Sequence, residues 1–325
     1  MNKIENINPA LSKEYMANII PYNILDRPIE FISTGNLILD KEIGGGIPKG
    51  RITEIFGGES SGKTTLALEI AKQCTNEQKN VLFLDLEYSL NVQYVKKMGI
   101  NTDYFFIAQA KNGEVAFDLI NDAIINRGFD LIIIDSVAAM LPDEEMNNKV
   151  EDGATLGAHA RLMNKGIRKI QSSLSFNSNT AIVFVNQLRE KIGVFFGNPE
   201  VTTGGKALKY YSSLRLEIKK NELIKNNQGK IGIKSKVTAV KNKISRPFGS
   251  AFINIYFGDG FDYVSDVLEY AVQINLIKKL SSWYSFEDKN ICQGFTQLKI
   301  YAKENPDWFE KIKNIIYKDL KIEKD

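Results

Sequence analysis

The stretch Gly57 to Thr65, GGESSGKTT, has the residue types and spacing to hold phosphate. Glycines at Gly57, Gly58 and Gly62 free the backbone to close its N–H groups on phosphate oxygens. The apolar-periodic LALEIAKQC that follows places those groups at a helix N-terminus, where the dipole favours negative charge. Lys63 reaches the β- and γ-phosphates, Thr64 offers its hydroxyl to Mg²⁺, and Glu59, Ser60, Ser61 and Thr65 complete the cradle. At Gly62 a Cβ would obstruct the close approach of the backbone. A Gly/Ser turn that happens to precede a helix is the alternative; the strand-like RITEIF before it and the helix after it favour the cradle.

A nucleotide hydrolase also needs an acid for the metal, an acid that orients or deprotonates water, and a sensor of the γ-phosphate. Asp135 closes the run LIII and suits the metal, with a strand-end acid capping the next turn as its alternative. Glu87, at the end of NVLFLDLE, is the expected water activator, and Gln187, at the end of TAIVFVNQ, the expected sensor. Gln187 leads straight into Leu188 to Gly205, which has basic and aromatic residues, glycines and no sustained period. Arg189, Lys191 and Lys206 there flank Phe195 and Phe196, giving phosphate neutralisation with apolar wedges that separate bases; a mobile lid is the alternative. His159, the only histidine, lies one position off an apolar stripe and has no cysteine or serine partner, so a packed or solvated role is expected.

The elements that must position these groups alternate. Strand-like runs RITEIF, NVLFLDLE, YFFIAQA, FDLIIIDS and TAIVFVNQ are separated by helical LALEIAKQC, LNVQYVKKM and GEVAFDLINDAIINRG, the last ended by Gly128. A helix over 155–176 carries the stripe Leu156, Ala160, Met163, Ile167, Ile170 and Leu174. This order predicts a mainly parallel sheet covered on both faces, with the site at the strand ends. STGNLILDKEIGGGIPKG reads as a strand, a turn and the entry to the core sheet, and KALKYYSSLRLEIKK and KSKVTAVKNKIS as strands near the sheet edge, mixed and in part antiparallel, with a polar turn at NNQG between them. A helical run follows FGDG, then a hairpin at WYSFEDKNICQG and two short helices around Asn305–Pro306.

Forty-two basic against thirty-nine acidic residues, a net charge of +3, leave polyanion binding to local clustering. Cys74 and Cys292 have no metal-type spacing, no run approaches the ~18 apolar residues of a membrane helix, and the N-terminal residues lack a secretory pattern. A reduced, cytoplasmic protein with no membrane association is the expectation.

From Phe31 to Leu320 the chain resembles the bacterial RecA recombinases. The strings that carry this are GGESSGKTT, FLDLEYSL, LIIIDSVAAM, FVNQLREKIGVFFGNPEVTTGG, ALKYY, VKNKISRPF and the WYS…QG segment. The resemblance implies an α/β fold: a RecA-like P-loop ATPase core over 31–259, a short N-terminal segment over 1–30 that serves subunit docking, and a small α/β C-terminal domain over 260–325. It implies ATP and Mg²⁺, a helical filament on single-stranded DNA, pairing with double-stranded DNA, strand exchange in repair, and an SOS-type repressor as a further partner.

Residue by residue, the resemblance makes Lys63, Thr64 and Asp135 phosphate and metal residues, Glu87 the water activator and Gln187 the sensor. Tyr94 stacks on adenine, and Asn91 stands where an aspartate usually contacts that base. Gly58 replaces a usual proline. The DNA loops match 145–156 and 188–202, and the DNA-facing set is Arg161, Arg189, Lys191, Phe196, Gly204 and Gly205. Lys241 and Lys243 match lysines that reach the ATP of the neighbouring subunit; strand alternation places both on one face. A non-recombinogenic assembly ATPase is the rival reading, and a ring-shaped helicase or clock-type ATPase is disfavoured by the FGNPE loop and the WYS unit.

Overall fold

The computed structural model describes residues 28–148, 157–176, 179–190, 200–226 and 229–319. The chain divides into Met1–Glu30 and Phe31–Asp325; of the first unit only 28–30 are described, without regular structure, and the rest concerns the second.

Strands β1 (Phe31–Ile32) and β2 (Ile47–Pro48) pair antiparallel on either side of helix α1 (Leu37–Ile43). A strand was the expectation over this stretch, and the caps explain the difference. Asn36 accepts from Leu39 N at 2.8 Å, and Gly44 ends the helix at φ 92°. Asp40, fully inside, accepts from Ser33 Oγ (2.6 Å), Thr34 Oγ1 (2.7 Å) and Thr34 N (2.8 Å), while burial pushes its carboxyl up to about 6.

Next come β3 (Ile52–Gly57), α2 (Lys63–Asn76), β4 (Val81–Asp85), α3 (Val92–Lys97), β5 (Phe105–Ala108), α4 (Gly113–Ile125) and β6 (Leu131–Asp135). They lead through α5 (Asp143–Met146) and α6 (Ala158–Phe176) to β7 (Ala181–Glu190), β8 (Glu200–Thr202), α7 (Ala207–Tyr211), β9 (Leu214–Asn226), β10 (Gly229–Asn242), β11 (Ser250–Tyr256) and β12 (Gly260–Phe261). The sheet is ten-stranded in the order β12-β11-β10-β9-β3-β7-β6-β4-β5, with β8 paired to β7 off that path. From β9 to β5 every neighbour is parallel; β10, β11 and β12 add antiparallel strands.

Both faces are covered, which is why the central strands read as unbroken apolar runs. In β6, Ile133 joins the cluster under α2 with Leu66, Ile70 and Ala71, while Ile132 and Ile134 join the cluster under α4 and α6 with Ile120, Met163, Ile167 and Ile170. Each such side chain stabilises the fold by roughly 1.5–3 kcal/mol.

Four expectations need correction. The run KALKYYSS begins with helix α7, not a strand, and β10 lies between β9 and β11, not at the edge. Ala160 is exposed and Leu156 lies outside the described residues; Ala158, Leu162, Met163, Gly166 and Ile167 form the packed face of α6, Gly166 lying against the Phe117 ring. The turn after α4 is made by Asn126 and by Arg127 at φ 52°, ahead of Gly128.

The C-terminal part holds α8 (Tyr263–Gln273), an antiparallel sheet of β13 (Lys278–Leu280), β14 (Trp283–Phe286) and β15 (Lys289–Gln293), then α9 (Phe295–Glu304) and α10 (Pro306–Asp319). The hairpin and paired helices were expected; β13 was not. Glu287 (φ 49°) and Asp288 (φ 58°) make the two-residue turn, and Val267, Leu268, Tyr270, Tyr284, Leu298 and Ile312 pack as a separate cluster. No helix of the described residues is long and apolar enough to cross a membrane.

Candidate active site

Parallel register brings the chemistry to one end of the sheet. Gly57 pairs with Gln187 across β3 and β7, and Asp85 with Asp135 across β4 and β6. The loop after β3 is shaped by what surrounds it. A Cβ on Gly57 would sit 2.1 Å from Ile218 O, and one on Gly62, at φ 101°, 2.2 Å from Ile255 Cδ1; Gly58 meets nothing within 4 Å. Only glycine fits the first two positions. Glu59 and Ser60 are exposed, Ser60 turns at φ 53°, and Ser61 is held by Ser235 Oγ, which donates to Ser61 O at 2.8 Å. The Ser61 hydroxyl is buried without a protein partner, and Gly62 opens α2 with no side-chain cap. A loop with an unpaired hydroxyl and free helix N–H groups fits an anionic ligand.

Lys63 Nζ donates to Gly58 O at 2.7 Å, its proton affinity lowered by burial and supported by Asp135, Glu87 and Glu59. Thr64 Oγ1 donates to Asp135 Oδ2 at 2.6 Å, so the two side chains expected on a metal already touch. Burial raises Asp135 to about 6, Glu87 adding to the effect and the Thr64 hydrogen bond opposing it. Hydroxyl and carboxylate oxygens are of the chemistry that suits Mg²⁺.

Glu87 is exposed, and its Oε1 accepts from the buried Ser136 hydroxyl and from Gln187 Nε2 at 2.9 Å. The residues expected as water activator and sensor thus touch directly. Asp85, by contrast, is buried and spends its oxygens on Ser89 N (3.2 Å) and Leu90 N (3.1 Å), building the turn that presents Glu87.

A cavity of about 370 Å³ lies over the loop, lined by Ser60 to Thr65, Tyr94, Ile233, Ile255, Tyr256, Phe257 and Gly258. Tyr94 Oη donates to Thr65 Oγ1 at 3.4 Å. Asn91 caps α3, its side-chain oxygen accepting from Tyr94 N at 3.1 Å, so it positions the tyrosine. The wall from β10 and β11 went unread in the sequence, where nothing marks these residues as neighbours of the loop.

The segment after Gln187 is not irregular where it is described. β7 runs on to Glu190 and pairs antiparallel with β8, Arg189 opposite Val201 and Leu188 opposite Thr202. Arg189 is exposed. Gly204 (φ 82°) and Gly205 (φ 74°) return the chain against α6, where a Cβ would lie 2.9 Å from Met163 Cγ and 3.1 Å from Ala160 Cβ. Lys191, Phe195 and Phe196 lie outside the described residues, as do 149–156. Arg161, expected to face DNA, is ion-paired with Glu144 at 2.6 Å. His159 is half-buried, its Nε2 3.1 Å from Val137 O, and burial lowers its proton affinity.

Beneath the ribbon lies a polar cluster. Glu54, fully buried, accepts from Arg215 Nε (2.5 Å) and Asn186 Nδ2 (2.9 Å). Asn186 also donates to Thr203 O (3.1 Å) and accepts from Gln187 N (2.8 Å) and from the Thr203 hydroxyl. An acid inside the apolar run RITEIF was the available signal for it. Lys241, next to last in β10, has its Nζ on Lys209 O (2.8 Å) and Tyr210 O (2.9 Å), the C-terminal carbonyls of α7; burial, Lys243 and Arg215 lower it to about 8. Lys243 is exposed beyond the strand.

Against known proteins, residues 2–262 match the RecA N-terminal domain model and 265–321 the RecA C-terminal domain model. Protein RecA of Ureaplasma parvum serovar 3 is 48% identical over 316 residues, covering 96% of this chain and 94% of the relative. Protein RecA of Mycoplasma pneumoniae is 44% identical over 326 residues (97% and 96%), and that of Malacoplasma penetrans 42% over 292 (90% and 88%). A phosphate loop, a metal-suited Thr64–Asp135 pair and a Glu87–Gln187 contact, in a chain matched nearly end to end by both domain models, make this protein a member of the RecA family.

Proposed function

We propose that this DNA-dependent ATPase of recombination and repair converts the state of one bound ATP into its grip on single-stranded DNA, and that the observation carrying this reading is the Glu87–Gln187 hydrogen bond. The backbone of the loop and Lys63, released from Gly58 O, hold the phosphates. Thr64 and Asp135 would hold Mg²⁺, which neutralises phosphate charge when bound. Tyr94 and the β10–β11 wall enclose the base. Glu87 orients the attacking water and takes its proton.

Gln187 bonds Glu87 and pairs in register with Gly57, where the phosphate loop begins, so its carboxamide exchanges the carboxylate for a γ-phosphate oxygen. The exchange biases the β7–β8 ribbon that carries Arg189, and with it Gly204, Gly205, Lys191 and Phe196, toward DNA. Arg161 joins that surface only by leaving Glu144. Subunits assemble into a helical filament that takes up double-stranded DNA for strand exchange, with Lys241 and Lys243 completing the neighbour's site. Residues 31–259 form the core and 260–325 the small domain, a division supported by the edges of the two family models. No residue is assigned to an SOS-type repressor.

The test compares the protein with Glu87→Gln on single-stranded DNA. Expected are ATP hydrolysis and strand exchange by the first, and by the second filaments that bind ATP but hydrolyse it slower by a factor on the order of 10² or more. Normal turnover in the variant refutes the role of Glu87. Hydrolysis without strand exchange by the unaltered protein refutes the recombinase and favours an assembly ATPase.

A further inference from the structure

A long carboxylate side chain on an exposed turn loses its aim unless something fixes it, and two donors converge on Glu87. Gln187 is one, but the sensing role takes its amide away when nucleotide is bound. The other is Ser136, which is buried (1% exposed) and follows Asp135 at the end of β6. Ser136 occupies the N-cap position of the 3-10 turn Val137–Ala139, where a serine hydroxyl ordinarily bonds the turn's own backbone. It makes no such bond; its hydroxyl is given to Glu87 Oε1 instead. Its backbone is fixed by the β4–β6 register, with Leu86 N on Asp135 O at 2.9 Å, so donor and acceptor ride on adjacent, bonded strand ends.

We propose that Ser136 is a positioning residue for hydrolysis: it holds Oε1 of Glu87 through the nucleotide cycle and leaves Oε2 turned to the attacking water. This rests on Glu87 being the water activator. When Gln187 turns to the γ-phosphate, Ser136 becomes the remaining protein donor on that oxygen among those described. The geometry separates two duties that meet at β6. Asp135 bonds Thr64, the hydroxyl expected on the metal, and Ser136, the next residue, bonds Glu87, the expected base.

The experiment measures single-stranded-DNA-stimulated ATP hydrolysis, ATP-analogue affinity and the Mg²⁺ midpoint for Ser136→Ala, Glu87→Gln and the double variant. Ser136→Ala is expected to lower kcat about ten-fold, with KM, analogue affinity and Mg²⁺ midpoint unchanged. In the Glu87→Gln background the same substitution should cost nothing further, since there is no base left to aim. An undiminished kcat in Ser136→Ala overturns the proposal. So does a ten-fold loss that persists in the double variant or comes with a shifted Mg²⁺ midpoint, because the effect would then run through folding or Asp135. If Glu87→Gln itself turns over normally, the assignment of Glu87 falls instead.

Discussion

Arg215→Met should destabilise the protein far more than the loss of one surface charge would. Glu54 is completely buried on β3, and Arg215, one strand over on β9 and directly in register, donates Nε to Glu54 Oε2 at 2.5 Å. Methionine fills much of the volume but leaves the carboxylate with Asn186 Nδ2 as its remaining partner among the described residues. Removing one member of a buried ion pair costs ~3–5 kcal/mol. Loss of the guanidinium over the Phe56 ring, 4.5 Å from its centroid, adds to that. At ~2.1 cal/mol/K of unfolding entropy per residue, ~4 kcal/mol in a unit this size corresponds to roughly 6 °C in Tm. Urea titration followed by circular dichroism, with a parallel thermal scan, reads the loss. The control is Glu54→Gln/Arg215→Met, which removes the stranded charge while keeping an acceptor for Asn186. It should recover at least about half of the loss. Equal stability of the single and double variants, or a single-variant loss under about 1 kcal/mol, would refute the argument that an unpaired buried carboxylate is what hurts.

Mixed filaments test catalysis across the interface: Lys241→Ala/Lys243→Ala protein and Glu87→Gln protein, each inactive alone, should regain hydrolysis at junctions where intact Glu87 faces intact lysines. No recovery in filaments shown to be mixed would place both functions in one subunit. Lys241 also predicts a pH dependence, because its proton affinity is lowered to about 8 by burial and by Lys243 and Arg215. It is cationic below that value and neutral above it, so turnover that depends on its charge falls as pH rises through about 8 in the free subunit, and higher where bound phosphate supports the charge. Lys241→Arg, which stays charged, should move that alkaline limb upward; an identical limb in the variant means another group titrates.

The phosphate loop was legible because every residue type in it answers a local demand. Ile218 O excludes any side chain at Gly57, the positive φ of 101° disfavours one at Gly62, and the strand before and helix after announce themselves by period. Asp135, Glu87 and Gln187 were legible as polar residues closing apolar runs. What escaped depends on contacts between distant stretches. Nothing near Tyr256 or Phe257 says that β11 folds over the loop, and nothing in VKNKIS says that β11 follows β10 in the sheet, which is why an edge position was expected for Lys241. Helix α1 escaped for a local reason: LILDKEI is short enough to satisfy both periods, and the Asn36 cap, not the alternation, settles it. The ribbon of β7 and β8 escaped because its strands pair across the stretch 191–199, and aperiodic composition in between masks the pairing of its ends.

Strand geometry explains how one element can serve two sites. Successive side chains on β7 point to opposite faces, so Asn186 and Gln187, adjacent in sequence, enter different surroundings. Asn186 turns to Glu54 and to Thr203, gripping the chain just after β8. Gln187 turns to Glu87 at the nucleotide end, and its own backbone N–H is bonded to the Asn186 side chain at 2.8 Å. In the proposed switch, a displacement of Gln187 by nucleotide would act on its bond to Asn186, the residue that holds Thr203. Because Asn186 is fully buried and tied to an ion pair, the displacement would not be absorbed by a loose side chain. Beyond these contacts β7 continues into its pairing with β8, where Arg189 is exposed. The buried Glu54–Arg215 pair thus holds Asn186, the neighbour of the residue through which the proposed coupling of nucleotide to DNA would run.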